Sequence, residues 1–191
     1  MCQRVPLTPV QLTSGIFNDV LASLRESHSN GGAVLAAFRI SSDDCFDWYA
    51  SRNRLLEDSI LVSLLSRPEV RLALPELMIP SEADLIVNPP PCPIGAQVFS
   101  MESPFLFDGR LAQCLHSGGA YWHKRGDGKE EKQLALHFCE AAFDLRFSEI
   151  QFYVSYNAWT RWFYNVAWDW TSILFDRNLR TLWILAVTDT D

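Results

Sequence analysis

The stretch that decides the fold is residues 159–191, WTRWFYNVAWDWTSILFDRNLRTLWILAVTDTD, which holds five of the seven tryptophans. Two runs rich in Trp, Phe, Ile and Val flank residues 176–179, Asp-Arg-Asn-Leu. Turn residues between two such runs are typical of a β-hairpin. The pattern predicts a strand over residues 162–175 and a return strand over residues 180–189.

Alternation along the first of these strands predicts that its aromatic side chains share one face, because neighbouring residues of a strand point to opposite sides. If Phe175 pairs with Arg180, the return strand adds Trp183 to the same face. The helices would then pack on that face. Apolar residues of both parities near the turn leave two alternatives open, a sheet covered on both sides or a homodimer. The aromatic face comprises Trp162, Tyr164, Val166, Trp168 and Trp170.

Upstream segments supply the remaining elements. Helical periodicity predicts helices after Thr8-Pro9, after Ser42 or Asp43 as far as Leu65, and over residues 110–117 and 134–145, whereas short apolar runs predict strands at 33–40, 97–101 and 149–156. The fold class is therefore α+β: a single domain over residues 1–191, with a mainly antiparallel sheet whose long C-terminal Trp-rich β-hairpin packs against helices from the N-terminal half. The Pro-rich residues 88–95 form a crossover inside this domain.

Composition excludes several classes of protein. A formal net charge of −7 argues against nucleic-acid binding, which needs Lys and Arg to replace the counterions of the phosphates. The longest apolar run is far shorter than the roughly 18 residues that cross a bilayer, and the N-terminal residues lack the apolar core of a signal peptide. We expect a cytoplasmic protein that does not bind membranes. Its five widely spaced cysteines indicate reduced thiols rather than a disulfide framework.

The densest group of Cys and His residues predicts no metal site, although zinc binds both residue types. Side chains two residues apart diverge by roughly 200° around a helix, so neither Cys114 with His116 nor His137 with Cys139 can bind one ion if both segments are helical. An enzyme would need a thiolate activated by an imidazole, and the candidates are Cys114 with His116 or His123. The sequence contains no GxSxG, HExxH, GxxxxGK[ST] or GxGxxG motif, and we expect no cofactor.

Asp169 is the other candidate catalytic residue, because it lies among tryptophans on the polar face of the hairpin, together with Asp189 and Asp191 near the end of the return strand. Paired carboxylates can transfer protons or bind a divalent cation. The alternative is structural: Asp169 accepts hydrogen bonds from threonine or backbone groups, and the other two carboxylates are solvated.

A partner-binding surface is predicted at the entry to the hairpin, where Trp159 and Trp162 flank Arg161. Tryptophan with arginine is the composition favoured at protein interfaces. The alternative is that Arg161 only covers the indole rings. With the nearby carboxylates, the predicted contact residues are Trp159, Arg161, Trp162, Asp169, Asp189 and Asp191.

A small, acidic, Trp-rich α+β chain without a catalytic motif is similar, at the level of class only, to the immunity proteins that neutralise toxins. The resemblance implies a protein partner, and the acidity of the chain favours a basic one. We therefore expect a small acidic cytoplasmic protein-binding module of immunity or inhibitor type, rather than an enzyme. The alternative is a small hydrolase-like enzyme that uses a Cys/His or Asp-based site.

Overall fold

Six antiparallel strands form one sheet in the computed structural model, which describes residues 5–80, 98–122 and 126–191. The spatial order is β1-β2-β6-β5-β4-β3, which places the long strands in the middle. Pro9 ends β1 at an edge of this sheet, where the missing proline N–H interrupts no ladder. The strands are β1 Leu7–Pro9, β2 Gly32–Ile40, β3 Ser100–Glu102, β4 Ile150–Ser155, β5 Trp170–Asp176 and β6 Thr181–Thr188.

Six α-helices connect these strands within the described residues. The second helix begins where the sequence predicts, because the Asp43 carboxylate accepts a hydrogen bond from the backbone N–H of Phe46 at 2.8 Å and so caps the first turn. The fifth ends at Gly118, whose φ of +63° favours glycine. The helices are α1 Gly15–Ser27, α2 Asp44–Ser51, α3 Ile60–Leu65, α4 Pro68–Ala73, α5 Phe107–Ser117 and α6 Lys129–Phe143.

The sheet is buried on both faces because apolar side chains occupy both parities of its central strands. Trp170 and Leu174 of β5 pack with α1, α5 and α6, whereas Ile173 and Phe175 pack with α2, α3 and α4. Every residue of β5 and β6 is buried. Such strands form nearly continuous apolar runs. The protein thus has three layers, with helices on both sides of the sheet.

The predicted α+β class and the predicted C-terminal hairpin are confirmed. β5 and β6 pair antiparallel, with Phe175 opposite Leu182 and Trp170 opposite Val187. The predicted register, with Phe175 opposite Arg180, is therefore wrong by two residues. A shift of two leaves every side chain on its predicted face, whereas a shift of one would have exchanged the faces.

The prediction of a single aromatic face is wrong. Trp159 and Trp162 pack with the layer of α2, α3 and α4, while Trp170 and Trp183 belong to the opposite layer. The reason is that the first hairpin strand starts at Trp170 instead of residue 162, so the two-residue period does not apply upstream. Of the two alternatives for apolar residues near the turn, a sheet covered on both sides is the one observed.

The bounds of all four predicted helices differ from those observed, and the first two differ most. The first begins at Gly15, because the residues before it form β1 and pair with residues 38–40 of β2. The predicted helix as far as Leu65 is interrupted after Ser51. Positive φ angles, which are incompatible with a continuous right-handed helix, occur at Asn53 (56°), Asp58 (48°) and Ser59 (57°).

Three further expectations from the sequence concern the Pro-rich crossover, membrane-spanning helices and the cysteines. The predicted crossover at residues 88–95 lies outside the described residues. Among the helices in the described part of the chain, none combines the length and the apolar character needed to cross a bilayer. Cys114 and Cys139 are free thiols, but Cys45 is disulfide-bonded, so the expectation that all cysteines are reduced is wrong.

Candidate functional site

One end of the sheet carries the loops in which the candidate residues lie. β2 and β5 begin at this end, and β4 and β6 finish there. We call it the loop end, and we call the opposite end, with the β5–β6 turn at residues 177–180, the turn end. The predicted partner-binding residues within 159–169 and 189–191 all follow or precede strand termini at the loop end.

Asp169 attaches the β4–β5 connection to β6. Its carboxylate accepts hydrogen bonds from the Thr188 hydroxyl at 2.5 Å and from the backbone N–H groups of Val166 at 3.1 Å and Tyr164 at 3.4 Å. Between these donors, Asn165 has a left-handed φ of 61°, a conformation that asparagine adopts more readily than most residues. Asp169 is 1% exposed, and its contacts match the structural alternative proposed for it above.

Asp189 joins two loops that are distant in sequence. One carboxylate oxygen accepts from the backbone N–H of Asn30 at 2.9 Å, and the other accepts from the backbone N–H of Ala120 at 2.8 Å. Gly119 permits this approach, since a Cβ there would lie 1.8 Å from the Asp189 Oδ2 atom. Asp189 therefore ties the loop after α1 and the loop after α5 to the end of β6.

The six predicted contact residues divide into a buried and an accessible group. Trp159, Asp169 and Asp189 are 0%, 1% and 1% exposed, and the Trp159 indole N–H donates to the Thr171 hydroxyl at 2.9 Å. Because these three side chains are buried, we do not include them in a contact surface. The accessible group comprises Arg161 and Asp191, which are exposed, and Trp162, which is partly buried.

Four other aromatic side chains are exposed at the loop end. We use the name aromatic end for the surface that these four side chains form. Tyr121 and Trp122 follow the loop that Asp189 holds, Tyr156 follows β4, and the Tyr164 hydroxyl donates to the backbone carbonyl of Asn30 at 3.4 Å. Their exposed fractions are 69% for Tyr121, 37% for Trp122, 50% for Tyr156 and 51% for Tyr164. The buried carboxylates thus position a set of outward-facing rings.

A cleft of about 220 Å³ opens between α5 and the β4–β5 connection. Tyr156, Trp168 and Trp170 contribute aromatic walls, and Arg110 lies at its edge, where the Glu102 carboxylate accepts from its guanidinium at 3.2 Å. Burial raises the pKa of Tyr156 above its ordinary value of 10.0. The cleft thus combines three aromatic rings with the polar side chains of His28, Arg110, Gln113 and Ser117.

A histidine and a cysteine meet in this cleft. His28, which is 2% exposed, directs its Nε2 atom toward the Sγ atom of Cys114 at 3.9 Å. The other ring nitrogen, Nδ1, lies 2.9 Å from the carbonyl oxygen of Leu24. Because a carbonyl oxygen can only accept, Nδ1 carries the proton of the neutral ring, and Nε2 is left as an acceptor for the thiol.

Burial keeps both groups of this pair uncharged. Desolvation raises the pKa of Cys114 to about 12. Desolvation also lowers the pKa of His28, against smaller opposing effects of the Leu24 carbonyl and the Asp189 carboxylate. A nucleophilic cysteine reacts as its thiolate, whereas the pair at rest is a thiol beside a neutral imidazole.

The other Cys and His candidates in the described part of the chain do not join this pair. His116, predicted as a partner of Cys114, instead has its Nδ1 atom 3.8 Å from the Glu131 carboxylate, and His123 lies outside the described residues. His137 is exposed, whereas Cys139 is fully buried and has a pKa raised to about 12 by desolvation. Within the described ranges, no three His, Cys, Asp or Glu side chains are grouped so that they could bind a metal ion.

Sequence reasoning missed His28, Arg110 and Tyr156 as residues of the site. His28 and Cys114 are 86 residues apart, a separation that no short motif can encode. Tyr156 is the last residue of the strand predicted at 149–156, but β4 ends at Ser155, and the exposure of Tyr156 depends on the direction in which the chain leaves β4. A search for polar residues at the ends of predicted strands would have found Tyr156, and nothing in the sequence indicates His28 or Arg110.

Comparisons with known proteins do not identify a function for the chain. No protein family model matches the chain, and no curated protein matches it. Among solved structures, the fold is similar to the crystal structure of citrus MAF1, with a TM-score of 0.44 and 16% sequence identity over 92% of this chain and 99% of that chain. A similarity at this level carries no conclusion about function.

Proposed function

We propose that the protein is a protein-binding module that contacts its partner through the aromatic end. The observation that carries this proposal is the exposure of Tyr121, Trp122, Tyr156 and Tyr164 together at one end of the sheet. Tyrosine and tryptophan are enriched at the centres of protein interfaces, where each ring contributes a large contact area at low entropic cost.

The buried carboxylates support the same proposal. Asp169 and Asp189 hold the loops of the aromatic end through hydrogen bonds to backbone N–H groups. A surface that is ordered before binding loses less conformational entropy when the complex forms, so more of the contact energy appears as affinity. This arrangement suits an inhibitor-like or immunity-like protein, whose task is tight binding rather than turnover.

The charge of the chain favours a basic partner. With a formal net charge of −7, the protein attracts a positively charged protein over a distance of about one Debye length, roughly 8 Å at physiological ionic strength. The exposed Asp191 lies beside Asp189 at the same end. Electrostatic attraction would increase the association rate, and the rings would supply the short-range contacts. A cytoplasmic location belongs to this proposal.

The test is affinity capture from an extract of the native host, with quantitative mass spectrometry of the bound proteins. The variants are Tyr121→Ala/Tyr164→Ala, which removes half of the aromatic end, and Trp48→Ala, which removes an exposed ring (42% exposed) from α2. We expect a partner that the wild type and Trp48→Ala enrich equally and that the double variant loses. Equal enrichment by all three proteins would exclude the aromatic end as the contact surface.

A second candidate function, a thiol-dependent hydrolase, is favoured by the contact of 3.9 Å between His28 Nε2 and Cys114 Sγ. In such a reaction the Cys114 proton would pass to His28 while sulfur attacks an acyl carbonyl, and His28 would return the proton to the leaving group. Water would then hydrolyse the Cys114 thioester, which releases the acid and restores the thiol. Ester hydrolysis that Cys114→Ala and His28→Gln both abolish would support this candidate. Equal hydrolysis by wild type and both variants would remove it.

A further inference from the structure

We propose that the cleft between α5 and the β4–β5 connection receives one uncharged aromatic side chain of the partner protein. This inference rests on the proposed function, since it assigns an anchor point within the same surface. The exposure of the aromatic end does not indicate which group of the partner binds there. The inference adds that this group is an uncharged aromatic side chain.

The size of the cleft favours a single side chain. Its volume of about 220 Å³ is below the range of roughly 300–1,000 Å³ that is typical of pockets for drug-sized ligands and cofactors. A phenyl, phenol or indole ring needs less space than such a ligand. Interface hot spots are commonly built in this way, with one anchor residue in a small desolvated pocket.

The walls favour an aromatic ring over an aliphatic chain. Trp168, Trp170 and Tyr156 all line the cleft. Three rings around one cavity offer a fourth ring edge-to-face and offset-stacked contacts, in which the positive edge of one ring meets the negative face of another.

The charges of the cleft favour an uncharged occupant. The Arg110 guanidinium is already bound by the Glu102 carboxylate at 3.2 Å, so it does not require an anion from the partner. His28 and Cys114 are both neutral, because desolvation lowers the pKa of the imidazole and raises that of the thiol. A buried carboxylate or ammonium group from the partner would lose its hydration without gaining a free counter-charge.

The position of the cleft connects it to the aromatic end. Tyr156 belongs to both, and Gly118 of the cleft lies under Trp122, whose ring would be 2.6 Å from a Cβ at that position. Hot-spot pockets lie near the centre of an interface, surrounded by contacts that exclude water. The exposed rings of the aromatic end are placed to form that surround.

The experiment uses capped amino acids as probes of the purified full chain. N-acetyl-phenylalaninamide and N-acetyl-tyrosinamide are titrated to millimolar concentration, the range expected for fragments of this size, and binding is followed by NMR of the indole N–H groups. N-acetyl-alaninamide and N-acetyl-lysinamide are the ligand controls. Ser117→Trp fills the cleft from the exposed end of α5 without removing a wall, Trp168→Ala removes a wall, and Trp48→Ala is the matched control outside the cleft.

We expect saturable binding of the two aromatic amides, with shifts at the indoles of Trp168 and Trp170. Ser117→Trp should abolish binding, Trp168→Ala should weaken it by roughly tenfold, and Trp48→Ala should leave it unchanged. Absence of saturable binding to the wild type, equal binding of the lysine amide, or undiminished binding to Ser117→Trp would overturn the inference.

The outcomes separate this inference from the proposed function. Capture of a partner through the aromatic end without binding of aromatic amides overturns the anchor and leaves the function standing. Binding of the aromatic amides in the cleft, together with a partner that the wild type and Tyr121→Ala/Tyr164→Ala enrich equally, supports the pocket chemistry and overturns the aromatic end as the contact surface.

Discussion

The two ends of the sheet hold buried carboxylates in different ways. At the turn end, Asp176 is 0% exposed and accepts hydrogen bonds from the Arg146 guanidinium at 2.6 Å and from the backbone N–H of Leu179 at 2.8 Å. At the loop end, Asp169 and Asp189 accept from a hydroxyl and from backbone N–H groups of three loops.

The difference follows from the lengths of the connections. The turn end closes β5 and β6 through residues 177–180, and Arg146, from outside the hairpin, neutralises the buried Asp176 carboxylate. The loop end contains the connection of residues 156–169, whose backbone N–H groups lack ladder partners and must be satisfied in another way. Carboxylates serve as acceptors for those groups, so the irregular loops are ordered while their aromatic side chains remain outside.

The comparison is tested most strongly by Asp189→Ala. This change leaves the N–H groups of Asn30 and Ala120 without their charged acceptor, and we expect a loss of about 3 kcal/mol in the free energy of unfolding. Urea denaturation followed by tryptophan fluorescence measures the loss. Asp191→Ala, which removes an exposed carboxylate two residues away, should change stability by less than about 0.5 kcal/mol. Similar values for the two variants would show that the loop end does not depend on Asp189.

Gly119→Ala tests the same contact without removing the carboxylate. The new Cβ would lie 1.8 Å from Asp189 Oδ2, so the carboxylate must leave its position, and we expect destabilisation by about 2 kcal/mol. Its effect should not add to that of Asp189→Ala, because both changes remove the same hydrogen bonds.

The matched control is Gly109→Ala within α5, where the nearest atom to a new Cβ is the Lys132 Nζ at 3.9 Å. Alanine there should stabilise the helix by about 0.5–1 kcal/mol. Destabilisation by both alanines would indicate a general intolerance of substitution rather than the specific close approach at Gly119.

A third test compares the two ends through their dependence on pH. His28, which can change its charge near neutral pH, lies at the loop end, whereas the cations described at the turn end are arginines, which cannot. Desolvation holds the pKa of His28 below its ordinary value of 6.5, so at mildly acidic pH the unfolded chain binds a proton that the folded protein excludes. Stability contributed by the neutral imidazole is complete above pH 6.5 and is lost as the pH falls from 6.5 toward the folded pKa. Unfolding measured from about pH 7.5 to 5 should show a smaller decrease in His28→Gln. Equal decreases in both proteins would contradict this assignment.

The smallest effect is expected at the turn end, for Arg177→Ala. The Arg177 guanidinium and the Glu149 carboxylate are 3.7 Å apart, and the side chains are 36% and 35% exposed. The guanidinium also donates to the backbone carbonyls of Ser148 and Glu149, and both hydrogen bonds are exposed to solvent. Such pairs are screened by solvent, so we expect a change below about 1 kcal/mol that decreases further in high salt. A loss as large as that of Asp189→Ala would contradict the distinction between the two ends. Urea denaturation with and without added NaCl measures both quantities.

The regular parts of the fold could be predicted from the sequence. The apolar run at residues 33–40 and the turn residues at 176–179 specify β2 and the hairpin through local patterns, and both are observed. Residues 162–168 alternate in the same way, yet they form a connection, because Asp169 turns the chain by binding the N–H groups of Tyr164 and Val166. The same pattern of alternation thus has two outcomes, and tertiary hydrogen bonds decide between them.

The candidate site was predictable in its region but not in its residues. The sequence directs attention to residues 159–169, which do lie at the loop end. It gives no indication that Asp189 is buried, because its donors Asn30 and Ala120 are 159 and 69 residues away. The pairing of His28 with Cys114 is likewise a product of helix packing, and no local pattern records it.

The sheet with apolar layers on both sides also determines how substitutions in the protein can combine. A change of side-chain volume at Ile173 must be accommodated by α2, α3 and α4, whereas a change at its neighbour Leu174 must be accommodated by α1, α5 and α6. Since close-packed interiors respond mainly to changes in their immediate surroundings, the two halves of the interior can vary almost independently. The helical layer that carries the cleft could therefore be redesigned for a new partner while the opposite layer keeps the chain folded.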